Sequence, residues 1–332
     1  MTNSFKIGIA GLGTVGCGVI EIVQNHVDLL EQHAGRKIEI KAVSARSRDK
    51  DRGVDMSVYD WEDNAVNLSD RDDLDCVVEL IGGEEGTAKE LCERALQHKK
   101  HVVTANKALL AHSGYEFAKL AEDAGVGLAY EASIAGGIPV VKALREGLAA
   151  NQINSISGIL NGTCNYILST MEETGREFDD VLAEAQEKGY AETPPDLDVD
   201  GIDAAHKLCL LSALGFGVKP DFEALSIEGI RNVSSADIQK AKSNEQVIRL
   251  VGSAKPGVAA LKPEYIPVGS PLAGITGPQN AVLISANPVG DIFLTGAGAG
   301  KGPTASAVVA DIVDLARGEI RPVFGVHHSL LK

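Results

Sequence analysis

The sequence predicts an α/β fold, in which a doubly wound parallel sheet is followed by a second domain of mixed α+β structure. Up to residue 131, short runs rich in β-branched residues alternate with segments of helical period, and after Ala135-Gly136-Gly137 this alternation stops. A chain of 332 residues with 44% hydrophobic residues also exceeds the usual size of a single core, so two domains are expected.

Five short apolar runs are predicted as strands of the first domain, at residues 5–10, 38–44, 76–81, 101–104 and 127–131. The segments between them have helical period, and the first helix is predicted at residues 17–30. Strands joined by right-handed helical crossovers form a parallel sheet with helices on both faces. This pattern is typical of a Rossmann-type domain, which we assign to residues 1–135.

The second domain is predicted at residues 136–302, with a helix at 139–148, a strand at 153–160 and three helical segments ending near residue 216. Strands are also expected near Val268 and at residues 281–286. A glycine-rich loop at 296–300 precedes an amphipathic helix at 304–317. Because an amphipathic helix needs a surface to cover its apolar stripe, we expect residues 303–332 to return to the first domain.

Composition excludes several classes of protein. A formal net charge of −15 argues against a nucleic-acid partner, because phosphate binding needs basic patches. The apolar runs are too short for a membrane span, and the sequence does not open with a signal peptide, so a cytoplasmic protein is expected. The five cysteines form no CxxC pair, which favours reduced thiols over a zinc site or a disulfide framework.

A dinucleotide-binding loop is predicted directly after the first strand. Gly11, Gly13 and Gly16 match the pattern G-x-G-x-x-G and lead into the first predicted helix. The three glycines permit a tight turn, a close approach of the pyrophosphate and close packing of helix on strand. The N–H groups at the helix start, around Thr14 and Val15, would stabilise the phosphates.

The end of the second strand bears on the choice of cofactor. A carboxylate there would bind the ribose 2′-hydroxyl of NAD, whereas this chain has Arg46 and Arg48. Guanidinium groups pair well with a 2′-phosphate, so NADP is favoured and NAD stays possible. The alternative is that both arginines are ordinary loop cations.

Two lysines are candidates for chemistry. Lys107 follows the strand at 101–104, where the carboxyl ends of parallel strands bind ligands, although an exposed lysine at a helix start is the alternative. Lys207 lies four residues after Asp203 in a predicted helix at 201–216, so the carboxylate can orient the ammonium. Surface pairs with this spacing are common, and the spacing alone does not decide for function.

The acidic segment around residue 200 also imitates half of a calcium loop. Asp196, Asp198, Asp200 and Gly201 match the first half of an EF-hand. The second half fails, because the position that should hold a bidentate glutamate is Lys207. Calcium binding is therefore not expected.

Several motifs resemble the homoserine dehydrogenase family, and together they span nearly the whole chain. They comprise the loop at 11–16, Val103-Thr104-Ala105-Asn106-Lys107, Glu131-Ala132-Ser133, Gly136-Gly137-Ile138-Pro139, Gly158-Ile159-Leu160-Asn161-Gly162-Thr163, Gly189-Tyr190-Ala191-Glu192, Asp198-Val199-Asp200-Gly201-Ile202-Asp203 with Lys207, and Gly298-Ala299-Gly300. The resemblance implies reversible reduction of L-aspartate 4-semialdehyde to L-homoserine by NADPH or NADH, a step in threonine, methionine and isoleucine biosynthesis.

The resemblance also implies roles for individual residues. Lys207 would be the proton donor, with Lys107 as a second cation and Asp203 orienting them. Substrate would contact the residues that match the family's pocket, which are Tyr190, Glu192, Asp198, Gly162 and Thr163. Cofactor contacts would extend from the glycine loop to Thr104, Lys107 and Gly300.

Three further expectations come from the resemblance. A monovalent cation, usually sodium, would bind the Glu131 side chain and backbone carbonyls at Ile134, Gly136 and Ile138, and would be structural. The second domain would carry both substrate binding and oligomerisation, giving a homodimer or homotetramer. The chain ends at Lys332 without a regulatory ACT domain, so threonine feedback is not expected.

Two other functions stay open at this point. The chain could be another amino-acid dehydrogenase with the same first domain, or a dinucleotide-binding sensor without catalysis. A sensor would not need the lysine and carboxylates of the second domain, so their presence argues against it.

Overall fold

A computed structural model of the chain describes residues 4–332, and the first three residues of the predicted domain 1–135 lie outside it. The chain divides into two compact units. The first unit comprises Met1–Lys142, Gly217–Pro220 and Gly300–Lys332, and the second comprises Ala143–Phe216 and Asp221–Ala299. The boundary between the two units lies after residue 142, whereas the sequence predicted it after residue 135. In addition, the short segment 217–220 belongs to the first unit.

The first unit is built on a six-stranded sheet. Its strands are β1 (Phe5–Ala10), β2 (Ile38–Ser44), β3 (Asp60–Trp61), β4 (Cys76–Glu79), β5 (His101–Thr104) and β6 (Leu128–Ala129). They lie in the order β3-β2-β1-β4-β5-β6, and every pairing is parallel. The predicted doubly wound parallel sheet is confirmed. The order reverses between β1 and β4, where such sheets bind their ligands.

Helices α1 (Thr14–Asn25), α2 (Val27–Ala34), α3 (Thr87–Gln97), α4 (Lys107–Ala124) and α5 (Val140–Lys142) also belong to this unit. The continuous helix predicted at residues 17–30 is wrong, because the chain leaves helical geometry at His26, with φ −118° and ψ 32°. Asn25 and His26 have low helix propensity, which favours a break here. The apolar period continues from α1 into α2, so the period alone does not show this break.

The C-terminal helix α11 (Lys301–Ala316) packs against α1 in the first unit. Small residues allow this approach: a Cβ atom added at Gly18 would lie 2.9 Å from the Cβ of Ala305. The helix contributes Val308 and Ile312 to the same core as β1 and β4.

The second unit contains a mixed sheet. Its strands are β7 (Gln152–Ile159), β8 (Ser226–Ile227), β9 (Gln246–Lys255), β10 (Val258–Pro267), β11 (Gln279–Asn287) and β12 (Gly290–Ala297), in the order β12-β11-β7-β9-β10-β8. The pairings are antiparallel except for β8 with β10. The predicted α+β character is therefore confirmed. The strand expected near Val268 ends at Pro267, and the glycine-rich loop is shorter than predicted because β12 continues to Ala297.

The helices of this unit are α6 (Gly162–Thr174), α7 (Phe178–Glu187), α8 (Asp196–Val199), α9 (Ile202–Phe216) and α10 (Ser235–Ser243). The regular helix predicted at 139–148 is wrong over its second half. After α5 the residues Ala143–Gly147 adopt π-helical geometry, and the Leu148 N–H donates to the Ala143 carbonyl at 2.8 Å. Among the described residues, no helix combines the length and apolar character needed to cross a membrane.

Strand β9 was not predicted, and its buried arginine explains why. Arg249 is only 1% exposed, and its guanidinium donates to Glu172 at 2.7 Å and to the Ile275 carbonyl at 3.1 Å. A charge inside an apolar run obscures a buried strand in the sequence, yet paired in this way it is compatible with the core.

Candidate active site

The glycine loop lies at the carboxyl end of β1, beside the point where the strand order reverses. Gly11 has φ of +102°, and a Cβ atom there would lie 2.4 Å from the Leu80 carbonyl oxygen. A Cβ at Gly16 would lie 2.0 Å from the Gly11 oxygen, whereas a Cβ at Gly13 would meet nothing within 4 Å. Gly13 therefore leaves open space beside the loop. Gly11 and Gly16 are needed for the loop conformation itself, because a side chain at either position would collide with the backbone.

Helix α1 begins directly after this loop at Thr14 without a side-chain cap. Its first N–H groups, at Thr14, Val15 and Gly16, have no acceptor within the helix and stay available to an anion.

A cavity of about 1020 Å³ opens beside this loop. It is lined by the carboxyl end of β2, by the loop after β4 and by residues of the first glycine turn, among them Gly11, Gly13, Ser44, Ile81, Gly82 and Gly83. Its size suits a dinucleotide-sized ligand, since ligand sites of this kind span roughly 300–1,000 Å³. The open glycine loop and the uncapped helix start fit the pyrophosphate of such a ligand.

Three cations line the β2 side of the cavity, which are Arg46, Lys50 and Arg52. Arg46 was predicted, and its side chain is exposed. The other predicted arginine, Arg48, places its guanidinium 5.8 Å from the ring centroid of Trp61. Arg52 was not predicted; it donates to the Leu12 carbonyl at 3.2 Å and so ties this segment to the glycine loop.

A buried glutamate shapes the opposite wall of the cavity. Glu79, at the end of β4, is fully buried and accepts the Ile81 N–H at 2.7 Å and the Gly82 N–H at 3.0 Å. Its other oxygen accepts the Thr104 hydroxyl at 2.6 Å. The carboxylate thus fixes the loop after β4, and it was missed because it ends an otherwise apolar strand.

The β5 edge of the sheet carries Lys107 at the start of α4. Thr104 is fully buried, with its hydroxyl on Glu79 and its carbonyl accepting the Ser133 hydroxyl at 2.9 Å. Asn106 caps α4 through the Leu109 N–H and donates to the Gly83 carbonyl at 2.7 Å. These contacts set the half-buried Lys107 at the carboxyl end of the parallel strands, with Thr104 behind it.

In the second unit, α9 buries the ammonium of Lys207, which is 8% exposed. Its Nζ atom donates to Asp203 Oδ2 at 2.8 Å and to the Leu160 carbonyl at 2.8 Å. Asn280 donates to that same carbonyl at 3.0 Å. These oxygen atoms hold the buried ammonium in a fixed position between α9 and the end of β7.

Asn161 holds two carboxylates together beside Lys207. Its amide nitrogen donates to Asp198 Oδ1 at 2.9 Å and to Asp203 Oδ2 at 2.9 Å, and its oxygen caps α6 through the Cys164 N–H. Burial raises the pKa of Asp198, and the neighbouring charge of Asp203 raises it further. Asn161 was missed as a functional residue; its signal was its place between a strand and a helix within a family motif.

The remaining predicted pocket residues lie near this cluster within the second unit. The Thr163 hydroxyl donates to the Tyr190 carbonyl at 2.6 Å, and the exposed carbonyl of Glu192 accepts from Gln186 at 3.2 Å. Gly162 permits close contact, because a Cβ there would lie 2.6 Å from the Pro278 oxygen. These contacts hold together the segments that carry the predicted substrate residues.

The acidic segment that imitates a calcium loop divides its carboxylates among different partners. Arg231 pairs with Asp196 and Asp200, while Asp198 faces Asn161. Asp196 and Asp200 therefore share one cation, while Asp198 belongs to the cluster around Lys207.

The buried turn predicted to hold a cation includes Glu131, Ile134 and Ile138, with Gly136 at φ +55°. Glu131 accepts the N–H groups of Val141 at 2.8 Å and Lys142 at 2.9 Å, at the start of α5. Burial, followed by the charge of Asp311, raises the pKa of Glu131 to about 7.

The glycine-rich loop serves two different contacts. Gly300, with φ +117°, precedes α11 in the first unit. Gly298 packs in the second unit, where a Cβ would lie 2.0 Å from the amide nitrogen of Asn280. Gly298 thus lets Asn280 reach the carbonyl that binds Lys207.

Two family models match the chain and cover both clusters. Residues 11–131 match the homoserine dehydrogenase NAD-binding domain, and residues 139–313 match homoserine dehydrogenase. Homoserine dehydrogenases from Neisseria gonorrhoeae and Pseudomonas aeruginosa are 47% and 46% identical to it, covering 94% of this chain and 72% of each relative. The chain belongs to the homoserine dehydrogenase family.

Solved structures agree with this assignment. A homoserine dehydrogenase from Thiobacillus denitrificans has a TM-score of 0.92 and 44% identity, covering 95% of this chain and 74% of its own. A hyperthermophilic archaeal homoserine dehydrogenase in complex with NADPH has a TM-score of 0.81 and 29% identity. This match covers 94% of the present chain and 97% of the archaeal chain. The family consists of NAD(P)-dependent oxidoreductases of amino-acid biosynthesis, and this chain is one of them. A non-catalytic sensor is not favoured.

Changing Asn161 to Ser should separate the bridging of carboxylates from the capping of α6. Serine still caps a helix but cannot bridge Asp198 and Asp203, so we expect kcat to fall about tenfold or more with the KM for NADPH unchanged. Steady-state kinetics with a melting curve test this. Asn244→Ser, at an exposed amide after α10, is the control. An unchanged kcat in Asn161→Ser would show that the bridge has no part in turnover.

Proposed function

We propose that the chain reduces L-aspartate 4-semialdehyde to L-homoserine reversibly, with Lys207 as the proton donor and NADPH as the preferred cofactor. The observation that carries this proposal is the buried ammonium of Lys207. Two of its three N–H groups point at Asp203 and Leu160, which leaves one for a substrate oxygen.

The bound cofactor supplies a hydride to the aldehyde carbon, and negative charge then develops on the aldehyde oxygen. Lys207 stabilises that charge and donates a proton from Nζ to the oxygen, giving the alcohol. Asp203 keeps the ammonium oriented through its contact at 2.8 Å. In the reverse direction the neutral amine accepts the same proton. Lys107, at the carboxyl end of β5, would supply a second positive charge to the substrate oxygen or the cofactor.

Recognition of the amino-acid substrate would fall to the carboxylates around Asn161. Glu192, which is exposed, would bind the substrate ammonium, because an amino acid carries a charge complementary to a carboxylate. Asp198, with its raised pKa, would hydrogen-bond the reacting hydroxyl. Tyr190, Gly162 and Thr163 would line the pocket, since Thr163 and Tyr190 are already joined by a hydrogen bond.

The preference for NADPH is supported by the charge along the β2 side of the first-unit cavity. Arg46 and Lys50 are exposed there, and Arg52 draws their segment towards the glycine loop. A 2′-phosphate needs this kind of cationic surface, while the 2′-hydroxyl of NAD would be bound by a carboxylate at the same place. Gly300 and Lys107 complete the proposed cofactor contacts.

An assay with aspartate 4-semialdehyde, run with NADPH and NADH side by side, tests substrate and cofactor together. We expect oxidation of NADPH at a higher kcat/KM than NADH. Lys207→Ala should lower kcat by about a hundredfold or more and leave NADPH binding intact, because the residue acts on the substrate oxygen and not on the cofactor. Lys240→Ala, an exposed lysine on α10, is the matched control. Absence of turnover with this aldehyde would refute the substrate, and full activity of Lys207→Ala would refute the proton donor.

We further propose that Glu131 and the carbonyls of Ile134, Gly136 and Ile138 hold a monovalent cation, with sodium as the candidate. The donors are hard oxygens on a buried turn, which suit such an ion. The electrostatics of Glu131 support the proposal as well, because burial and then the charge of Asp311 raise the pKa of this carboxyl to about 7. A monovalent cation beside Glu131 would stabilise its charged form.

Exchange of sodium chloride for choline chloride at equal ionic strength should lower the melting temperature of the protein by a few degrees. Choline is too large for a turn of this kind, so it cannot replace sodium. Glu131→Gln should remove the difference between the two salts, whereas Glu116→Gln, an exposed position on α4, should keep it. Equal melting temperatures of the wild type in both salts would exclude the site.

We also propose that the chain is a cytoplasmic homodimer or homotetramer that associates through the second unit. The edge strand β12 supports this, because none of its residues is buried and Phe293 is 38% exposed. An exposed apolar edge strand is a site for pairing with another copy. The five buried thiols, none of them in a disulfide, support a reducing compartment.

Sedimentation at micromolar concentration should show a dimer or tetramer. Phe293→Asp should shift it towards monomer, because a charge would enter the apolar contact. Val258→Asp, at an exposed apolar residue of β10, should leave the assembly unchanged. A monomeric wild type, or an unaffected Phe293→Asp, would contradict the interface.

A further inference from the structure

We propose that the first unit holds a transition-metal site, with zinc as the best-suited ion, formed by Glu122 on α4 and by His327 and His328 near the C-terminus. One ligand atom from each of the three residues lies within 4.8 Å of the others. The site is separate from both clusters described above and lies where the C-terminal segment meets the end of α4. Two imidazoles and a carboxylate are a ligand set that zinc binds in proteins, with a water molecule as fourth ligand.

The spacing of the ligand atoms fits tetrahedral coordination. Bonds of about 2.0–2.2 Å at tetrahedral angles place two ligand atoms roughly 3.3–3.6 Å apart. Glu122 Oε2 lies 3.0 Å from His328 Nδ1 and 3.7 Å from His327 Nε2, on either side of that range. The third distance, between the nitrogens of the two imidazoles, is within 4.8 Å, and rotation of the half-exposed His327 side chain would bring its nitrogen into the coordination range.

The carboxylate is held in place before any metal binds. Glu122 Oε1 accepts the Val323 N–H at 2.9 Å, and Oε2 accepts the His328 N–H at 2.6 Å. Its side chain is 8% exposed, while that of His327 is 50% exposed and gives access from solvent. The carboxylate therefore needs little reorganisation, which favours binding.

Each imidazole also has an oxygen partner for its second nitrogen. His327 Nδ1 accepts the Ser329 backbone N–H at 3.4 Å and lies 2.9 Å from the Ser329 hydroxyl, which can accept the imidazole proton once that proton moves to Nδ1 on binding of the metal at Nε2. His328 Nε2 faces Asp123 Oδ1 at 3.8 Å, within reach of a small rotation of that exposed side chain. Oxygen atoms in this outer position fix the tautomer and orientation of metal-bound histidines. On binding, the His328 proton would move from Nδ1 to Nε2, and the ion would replace the contact between His328 and Glu122.

The effect of the ion would be to fasten the C-terminal segment. Residues 323–328 are joined to α4 through Glu122, and the chain then runs on to Lys332, whose N–H donates to the Gly217 carbonyl at 3.1 Å. A metal bridging α4 and the two histidines would add a coordinate link to these hydrogen bonds. It would raise stability without taking part in the reduction.

Calorimetric titration of the tag-free full chain with zinc chloride tests the site. We expect one ion bound per chain at micromolar affinity or better, and a rise of several degrees in melting temperature when zinc is in excess. His327→Ala should weaken binding more than tenfold and remove the rise in melting temperature. The His327 side chain is half exposed, so its removal should disturb the fold little. Without zinc, His327→Ala should therefore have the melting temperature of the metal-free wild type.

A matched control is His112→Ala. His112 Nε2 also lies beside a carboxylate, 3.3 Å from Glu84, but in a different part of α4. It should bind zinc like the wild type. Absence of zinc binding to the wild type would overturn the proposal. So would unchanged binding in His327→Ala, or loss of binding in His112→Ala in its place.

Discussion

The buried ammonium of Lys207 is the constraint around which the second unit is organised. Burying an ammonium group is costly unless oxygen atoms pair with it, and here Asp203 and the Leu160 carbonyl do so. Those two contacts join α9 to the end of β7. Asn280 secures the carbonyl from β11, and Asn161 secures the carboxylate from the start of α6. In the proposed reaction the third N–H would serve the substrate, so stability and chemistry would depend on the same set of oxygen atoms.

The first unit solves a different problem, which is to present backbone N–H groups and cations to an anionic ligand. The reversal of strand order between β1 and β4 opens the edge of the sheet, and Gly11 and Gly16 allow the loop to lie close to the Leu80 segment. Because α1 starts without a side-chain cap, its N–H groups are left for a phosphate. In the first unit, backbone N–H groups would provide the binding site, whereas in the second unit charged side chains form the cluster around Lys207.

Three glutamates with little-exposed side chains share one structural role. Glu79 binds two N–H groups of the loop after β4, Glu131 binds two at the start of α5, and Glu122 binds two of the C-terminal segment. Each hydrogen bond to a charged group is worth about 1.5–3 kcal/mol, enough to fix an irregular segment that has no ladder of its own. The loop at the cofactor cavity, the proposed cation turn and the proposed zinc site are all held in this way.

Features that depend on neighbours along the chain could be predicted from the amino-acid sequence. The parallel sheet, the glycine loop and the spacing of Asp203 and Lys207 follow from local period and turn chemistry, and each was visible before folding. Contacts between distant residues arise only in the folded chain: Lys207 binds Leu160, 47 positions away, and Asn161 binds Asp198, 37 positions away. The break at His26 in the predicted helix is likewise seen only in the structure. Such contacts depend on which faces of the helices and strands meet in the core. The sequence around a single asparagine or glutamate does not show which distant residue will be its hydrogen-bond partner.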